Sequence, residues 1–293
     1  MKDVKYFAPT SLTEALELLE TYGPEVSILA GGTDLVRDMN LEFKIPKGIM
    51  WIGRLGLEYI RDEGNLIRIG AATRMQTAGA SPLLQQKASA LARAAGKLAS
   101  PPVRSLATLG GNLCTASPAA DCGCALLGLG AEVVLTSAKG QRIVPLDAFY
   151  LGPNKTVIRP DELLTEILIR PTGAGEGSSY MKIGRRQAMT LAVINATSRV
   201  RLDEQGKVEA VNIAVGAAAP TLLRIKPAES LLIGQPLNEE TIRAAAEIAT
   251  KEIQPINDVH GTIWYRRKVV GVLVTRTLRE AAGLNGGGNN HHD

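Results

Sequence analysis

Cysteine, histidine and aromatic residues are all scarce in this chain. Its 293 residues include three cysteines, three histidines and 4% aromatic residues. Cys114, Cys122 and Cys124 are odd in number and lack paired spacing, which argues against a disulfide framework of the secreted kind. Three thiols also fall short of the four ligands that an iron–sulfur cluster or structural zinc normally takes. His291 and His292 sit in a polar, Gly-rich terminus and leave only His260 inside the chain. No metal site is expected. A net charge of +4, scattered and without stacking aromatics, disfavours nucleic-acid binding. Met1 to Phe7 lacks a signal-peptide core and no stretch approaches a membrane span, so the default expectation is a soluble, cytoplasmic protein. No constellation of acid, base and nucleophile stands out, and no catalytic residue is assigned.

What the chain does have is enough apolar residue for a core. The hydrophobic fraction is 45% and the charged fraction 21%, ordinary for a globular protein. The length suggests two or three packed units. Ser11 and Glu14 form a capping-box pattern ahead of an apolar stripe, Leu12 to Leu19, that Gly23-Pro24 ends. Ser27 to Ala30 reads as a strand, Asp34 to Met39 as a helix and Gly48 to Ile52 as a strand. Further on, Leu66 to Gly70 reads as a strand and Pro82 to about Leu98 as one helix stopped by Pro101-Pro102. Ala131 to Ser137 and Gln141 to Pro145 make a hairpin about Lys139-Gly140, and Leu163 to Ile169 is a strand. Pro171 to Gly177 reads as a linker. Beyond it come long strands at Thr190 to Leu202 and Val208 to Ala217, then helices at Glu239 to Glu252 and Tyr265 to Ala282.

Two glycine-rich segments carry the chemistry. Ile28-Leu29-Ala30-Gly31-Gly32-Thr33-Asp34-Leu35 places two glycines between a strand and a helix. Glycine there lets backbone approach a ligand, and free N–H groups at a helix start favour an anion such as a diphosphate. Taken alone, the pair also reads as a plain tight turn. Ser105 to Pro118 is the second segment, with Thr108, Leu109, Gly110, Gly111, Asn112, Thr115 and Ser117. Its small hydroxyls and amide suit ribityl or phosphate oxygens. Neither segment has the spacing of a Rossmann fingerprint or a Walker loop.

Ala30-Gly31-Gly32-Thr33-Asp34-Leu35 and Thr108-Leu109-Gly110-Gly111-Asn112 resemble the two FAD-binding signatures of the xanthine dehydrogenase family. The match is to its flavin subunits, including the medium subunit of the aerobic carbon monoxide dehydrogenase type. Similarity continues through Thr115 to Asp121, Tyr180 to Arg186 and Asp258 to Arg267, in the family's order over nearly the whole chain. The resemblance implies an α+β fold. A two-part FAD-binding domain of the vanillyl-alcohol-oxidase-like kind spans 1–56 and 57–177. A smaller antiparallel sheet with helices follows at 178–285, and 286–293 is a flexible tail.

It also implies that residues 28–35 and 108–112 wrap the FAD diphosphate and ribityl, that Asp121 and Leu164 contact FAD, and that Lys182 lies near the flavin. Tyr180 resembles an aromatic that shields the isoalloxazine in some members, and Leu98 falls where relatives can carry an aromatic contact. A lysine beside a flavin raises its reduction potential by Coulomb attraction. Read without the family, Lys182 is equally a solvated charge on a strand edge, and Tyr180 a half-buried interface residue. The three cysteines read as small buried residues, and Arg185-Arg186 as a structural or subunit-facing pair. Many relatives carry an acidic residue after that pair, where this chain has Gln187-Ala188.

The implied function is that of an electron-transfer subunit. A molybdopterin large subunit hydroxylates substrate, a small subunit with two [2Fe–2S] clusters relays electrons, and FAD on this chain passes them to an external acceptor such as NAD, a quinone, ferredoxin or oxygen. The alternatives are a free-standing flavin oxidase or dehydrogenase, which needs a base beside the flavin, and a scaffold that has lost FAD. The intact glycine segments speak against the last.

Overall fold

The computed structural model describes residues 4–186 and 189–284; Gln187, Ala188 and the expected tail 286–293 lie outside the described residues. The first unit runs β1 (Lys5–Phe7), α1 (Leu12–Tyr22), β2 (Val26–Leu29), α2 (Leu35–Asn40) and β3 (Gly48–Trp51). Its three strands are parallel in the order β1-β3-β2. Ser11 caps α1 by accepting from the Glu14 N–H, while the Glu14 carboxylate reaches back to the N–H of Thr10. That is one residue short of the expected box. Leu16, Leu19, Met50, Ile52 and Leu57 close a small core under this sheet.

The second unit comprises β4 (Ile60–Asp62), β5 (Ile67–Gly70), α3 (Met75–Ala80), α4 (Pro82–Lys87), α5 (Ser89–Lys97), α6 (Pro101–Arg104), α7 (Leu109–Thr115) and α8 (Asp121–Gly128). It continues with β6 (Glu132–Ser137), β7 (Gly140–Pro145), β8 (Tyr150–Gly152), β9 (Lys155–Thr156) and β10 (Leu163–Ile169). Its antiparallel sheet has the order β4-β5-β10-β6-β7. The third unit holds β11 (Glu176–Ile183), β12 (Ile194–Leu202), β13 (Val208–Gly216), β14 (Leu223–Arg224), α9 (Lys226–Leu232), α10 (Glu239–Glu252) and α11 (Ile263–Ala281). Its sheet is antiparallel in the order β11-β12-β13-β14. Every residue of α8 is buried, and Gly128 lies where a Cβ would meet Thr197 of β12 at 2.4 Å. This helix therefore forms the seam between the second and third units. Among the described residues no helix is long and apolar enough to cross a membrane.

Several sequence expectations change. The single helix from Pro82 to Leu98 is two helices, broken at Ala88. The Lys87 carbonyl accepts from the Thr172 N–H and the Ser89 hydroxyl donates to the Ser178 carbonyl, so tertiary partners win over helix propensity. Pro101 and Pro102 begin α6 rather than stop a helix, because a missing N–H costs nothing in a first turn. The hairpin at 138–139 turns one residue earlier than expected, with Ser137 paired to Gly140. Pro171 to Gly177 is not a loose connection, since its last two residues already belong to β11. The Arg199 guanidinium binds the Glu176 carboxylate at 2.6 Å and the carbonyls of Leu129, Arg170 and Pro171.

Arg199 and Glu176 are both nearly buried, so deleting one partner strands the other's charge and three carbonyls. Arg199→Ala is expected to lower unfolding free energy by about 3–5 kcal/mol in urea titration. Arg199→Lys should recover only part, because an ammonium lacks the planar fork that reaches several acceptors at once.

Candidate functional site

The first glycine segment leaves β2 and turns into α2 with Gly32 at φ +74°, a conformation that glycine adopts freely. Among the described residues, no acceptor takes the N–H groups of Gly31, Gly32, Thr33, Asp34 or Leu35. Five successive backbone donors therefore remain open, half-buried along one turn. With only six residues in α2, this row of amides rather than a macrodipole supplies the positive field.

The second segment behaves differently. Its glycines lie inside α7, which low helix propensity had hidden. Thr108 caps that helix by accepting from the Gly111 N–H, the Leu109 N–H is taken by the Thr73 carbonyl and the Gly110 N–H by the Ala71 carbonyl. Gly110 packs so closely that a Cβ would stand 2.7 Å from Ala71. A Cβ on Gly111 would meet only the Thr108 hydroxyl, at 2.8 Å, and so faces open space otherwise. This segment offers a surface and side chains, not free amides. Asn112 carries one of them: its Oδ1 is buried without a hydrogen-bond partner, an expensive state that a ligand donor relieves.

The two segments meet. A Cβ on Gly31 would lie 1.9 Å from the Leu106 carbonyl oxygen and 3.1 Å from the Ala107 Cα, and the Thr115 hydroxyl donates to the Asp34 carboxylate at 2.8 Å. Ile28, Leu29 and Ala30 lead into this junction half-buried. Leu98 ends α5 and packs on the core of the second unit. Leu109 and Leu164 have their side chains inside that core, supporting the cradle from behind.

A second cluster lies at the seam between units. Asp121 opens α8 and is 6% exposed. Its carboxylate accepts from the Tyr180 hydroxyl at 2.5 Å, the Lys182 ammonium at 2.7 Å and the Asn195 amide at 3.4 Å. Lys182 also donates to the Thr190 carbonyl at 3.3 Å. Tyr180 has no exposed surface, so its ring supports the carboxylate instead of facing a cavity. Burial, then the adjoining Asp121 charge, pushes its phenol well above the ordinary range, which keeps it a donor. Lys182 is no solvated edge charge either: its side chain is 7% exposed and ion-paired with Asp121. Asn195 and Thr190 were not singled out from the sequence. The signal for Asn195 was a lone amide interrupting Val193, Ile194 and Ala196.

Asp258 to Arg267 serves structure. Asp258 accepts from the N–H groups of His260 and Gly261 and pairs with Arg266, which also binds the carbonyls of Val193 and Ile256. Cys122 and Cys124 are buried, with the Cys124 thiol pushed up to about 12 by burial, whereas Cys114 is exposed. Open grooves of about 590 and 370 Å³ run between α10 and α11, lined by residues such as Thr250, Trp264 and Lys268. Neither touches the glycine segments.

A row of unclaimed amides abutting a small-residue helix suits an anionic, polyhydroxylated ligand such as a nucleotide diphosphate. Residues 2–171 match the family described as "FAD binding domain in molybdopterin dehydrogenase", and residues 179–281 match the "CO dehydrogenase flavoprotein C-terminal domain". The nicotinate dehydrogenase FAD-subunit of Eubacterium barkeri is 34% identical over 275 residues, 92% of this chain and 93% of that protein. The carbon monoxide dehydrogenase medium chain of Hydrogenophaga pseudoflava is 34% identical over 279 residues, 94% of this chain and 96% of that one. The solved structure of a carbon monoxide dehydrogenase from Hydrogenophaga pseudoflava, lacking the Mo-pyranopterin moiety, superimposes with a TM-score of 0.91 over 96% of this chain and 97% of that chain. The chain thus belongs to the family of FAD-binding medium subunits of molybdenum hydroxylases.

Gly111→Val fills the open face of the cradle while disturbing only the Thr108 cap. Loss of FAD retention is expected with a fall of about 1–2 kcal/mol in unfolding free energy. Gly31→Ala drives a methyl into the Leu106 carbonyl and should cost both binding and considerably more stability. Absorbance at the flavin band and urea midpoints on the same samples separate the two.

Proposed function

We propose that this chain binds one FAD across residues 28–35 and 108–112 and relays electrons from a partner's [2Fe–2S] clusters to an external acceptor. The supporting observation is the row of five unclaimed amides at Gly31 to Leu35 against the helix that carries the unpartnered Asn112 Oδ1. The donor set fits a dinucleotide. Consecutive amides suit a diphosphate, and a buried lone amide oxygen suits a ribityl or ribose hydroxyl. Bound there, FAD supplies the redox chemistry that no side chain of the protein provides.

The protein's own residues do the remaining work. Gly31 to Leu35 bind charge, and Asp34, held by Thr115 and by Arg37 at 3.4 Å, fixes the first loop on the second. Asp121, Tyr180 and Lys182 order the wall contributed by the third unit. In this reading 1–56, 57–177 and 178–285 are the functional divisions, which follow the three larger sheets except that β11 begins at Glu176, two residues before the last boundary. The substrate is read by a molybdopterin-bearing large subunit, consistent with the medium-chain and FAD-subunit names of the relatives. The acceptor is one such as NAD, a quinone, ferredoxin or oxygen.

The purified chain should be yellow, release its flavin in acid, and turn over no organic substrate alone. Added to its iron–sulfur and molybdopterin subunits, it should restore substrate-dependent reduction of the acceptor. Colourless protein that takes up no FAD, or turnover of an organic substrate by the isolated chain, contradicts the proposal.

A further inference from the structure

The two grooves between α10 and α11 share Thr250 and Lys268, so they make one channel along both helices. Its floor is made of small residues. A Cβ on Gly271 would stand 3.1 Å from the Thr250 hydroxyl and 3.5 Å from the Ala246 carbonyl, so α11 lies close against α10 there. At one end Trp264 is 68% exposed, with the Lys268 ammonium 5.8 Å from its ring centre. Val272 is exposed on the same side of α11, two turns further along.

The rims of the channel are cationic. Arg243 on α10 and Arg267, Lys268 and Arg276 on α11 line it and are exposed, and among the described residues none of the four pairs with a carboxylate. Glu247 is the one carboxylate of the lining. By contrast Arg68, Lys87, Arg93 and Arg142 each hold a carboxylate within 3.0 Å.

We propose that this channel is a docking groove for an acidic amphipathic helix of another protein. The inference is independent of the FAD reading above. Charge selects the occupant: four unpaired cations along the 19 residues of α11 and its neighbour attract carboxylates and repel a second copy of the same face, so a twofold contact of the channel with itself is disfavoured. Shape narrows the choice further. A concave floor between two helices accepts the apolar row that a helix presents at every third or fourth residue, whereas a membrane surface takes up a protruding apolar face. Trp264 is the kind of exposed aromatic that anchors such contacts, and the cations stand along both rims, where the acidic flanks of the helix fall.

The test uses the full FAD-loaded chain and a fluorescein-labelled synthetic peptide whose helix carries leucines on one face and glutamates on both flanks. Fluorescence anisotropy should show saturable binding that weakens as salt rises. A scrambled peptide of the same composition should bind roughly tenfold more weakly, since it lacks the apolar row. Lys268→Glu combined with Arg276→Glu should weaken the helical peptide by roughly tenfold or more, and Trp264→Ala by about the same factor, with flavin absorbance and urea midpoint unchanged. A peptide with lysines in place of the glutamates should prefer the reversed variant to the parent.

Equal binding of the helical and scrambled peptides overturns the proposal. So does binding that neither variant moves, or no binding at all. Tighter binding of phosphatidylserine vesicles or single-stranded DNA than of the peptide, lost in the same variants, would assign the channel to a different class of partner and overturn it too. If the double reversal fails to fold, Trp264→Ala and the scrambled peptide decide between the same outcomes.

Discussion

The contact on which the site depends is the one between Gly31 and the Leu106 carbonyl. No side chain fits there: the position a Cβ would take is 1.9 Å from that oxygen. Glycine lets two loops, separated by some seventy residues of chain, share one wall, and Thr115 with Asp34 ties the other end. Glycine costs roughly 0.5–1 kcal/mol of backbone entropy in regular structure, and five open amides forgo hydrogen bonds that folding usually supplies. Both costs suit a surface built to be completed by something bound.

Division of labour between the loops follows from their hydrogen bonds. The first keeps its amides open, while the second spends its own on Thr73, Ala71 and Thr108. A rigid, self-satisfied helix next to an open turn preorganises the cradle, so ligand binding need not order the chain first. Farther along, the Asp121 cluster sets the third unit against α8. Buried ion pairs add little net stability compared with apolar packing, yet breaking one is costly. Such a cluster specifies which strand faces the seam more than it holds the molecule together.

Much of this was legible in the residues. The Gly31-Gly32 turn, the capped α1, the long strands β12 and β13 and the helices α10 and α11 follow local rules of periodicity and turn chemistry. What escaped was set by distant partners. The break at Ala88 depends on Thr172 and Ser178, and α7 exists because Thr108 caps it and Ala71 packs on Gly110. Tyr180 and Lys182 were singled out by resemblance, but only the fold shows that one is buried behind the other's counter-ion. Asn195 left a faint mark, an amide inside an apolar run.

Amide hydrogen exchange compares the loops most directly, with FAD added to the flavin-free chain. Amides 31–35 should exchange rapidly without the nucleotide and become strongly protected with it, while the already bonded amides at 109–111 change little. Protection that develops along the groove between α10 and α11 instead, with 31–35 still exchanging rapidly, would contradict the account.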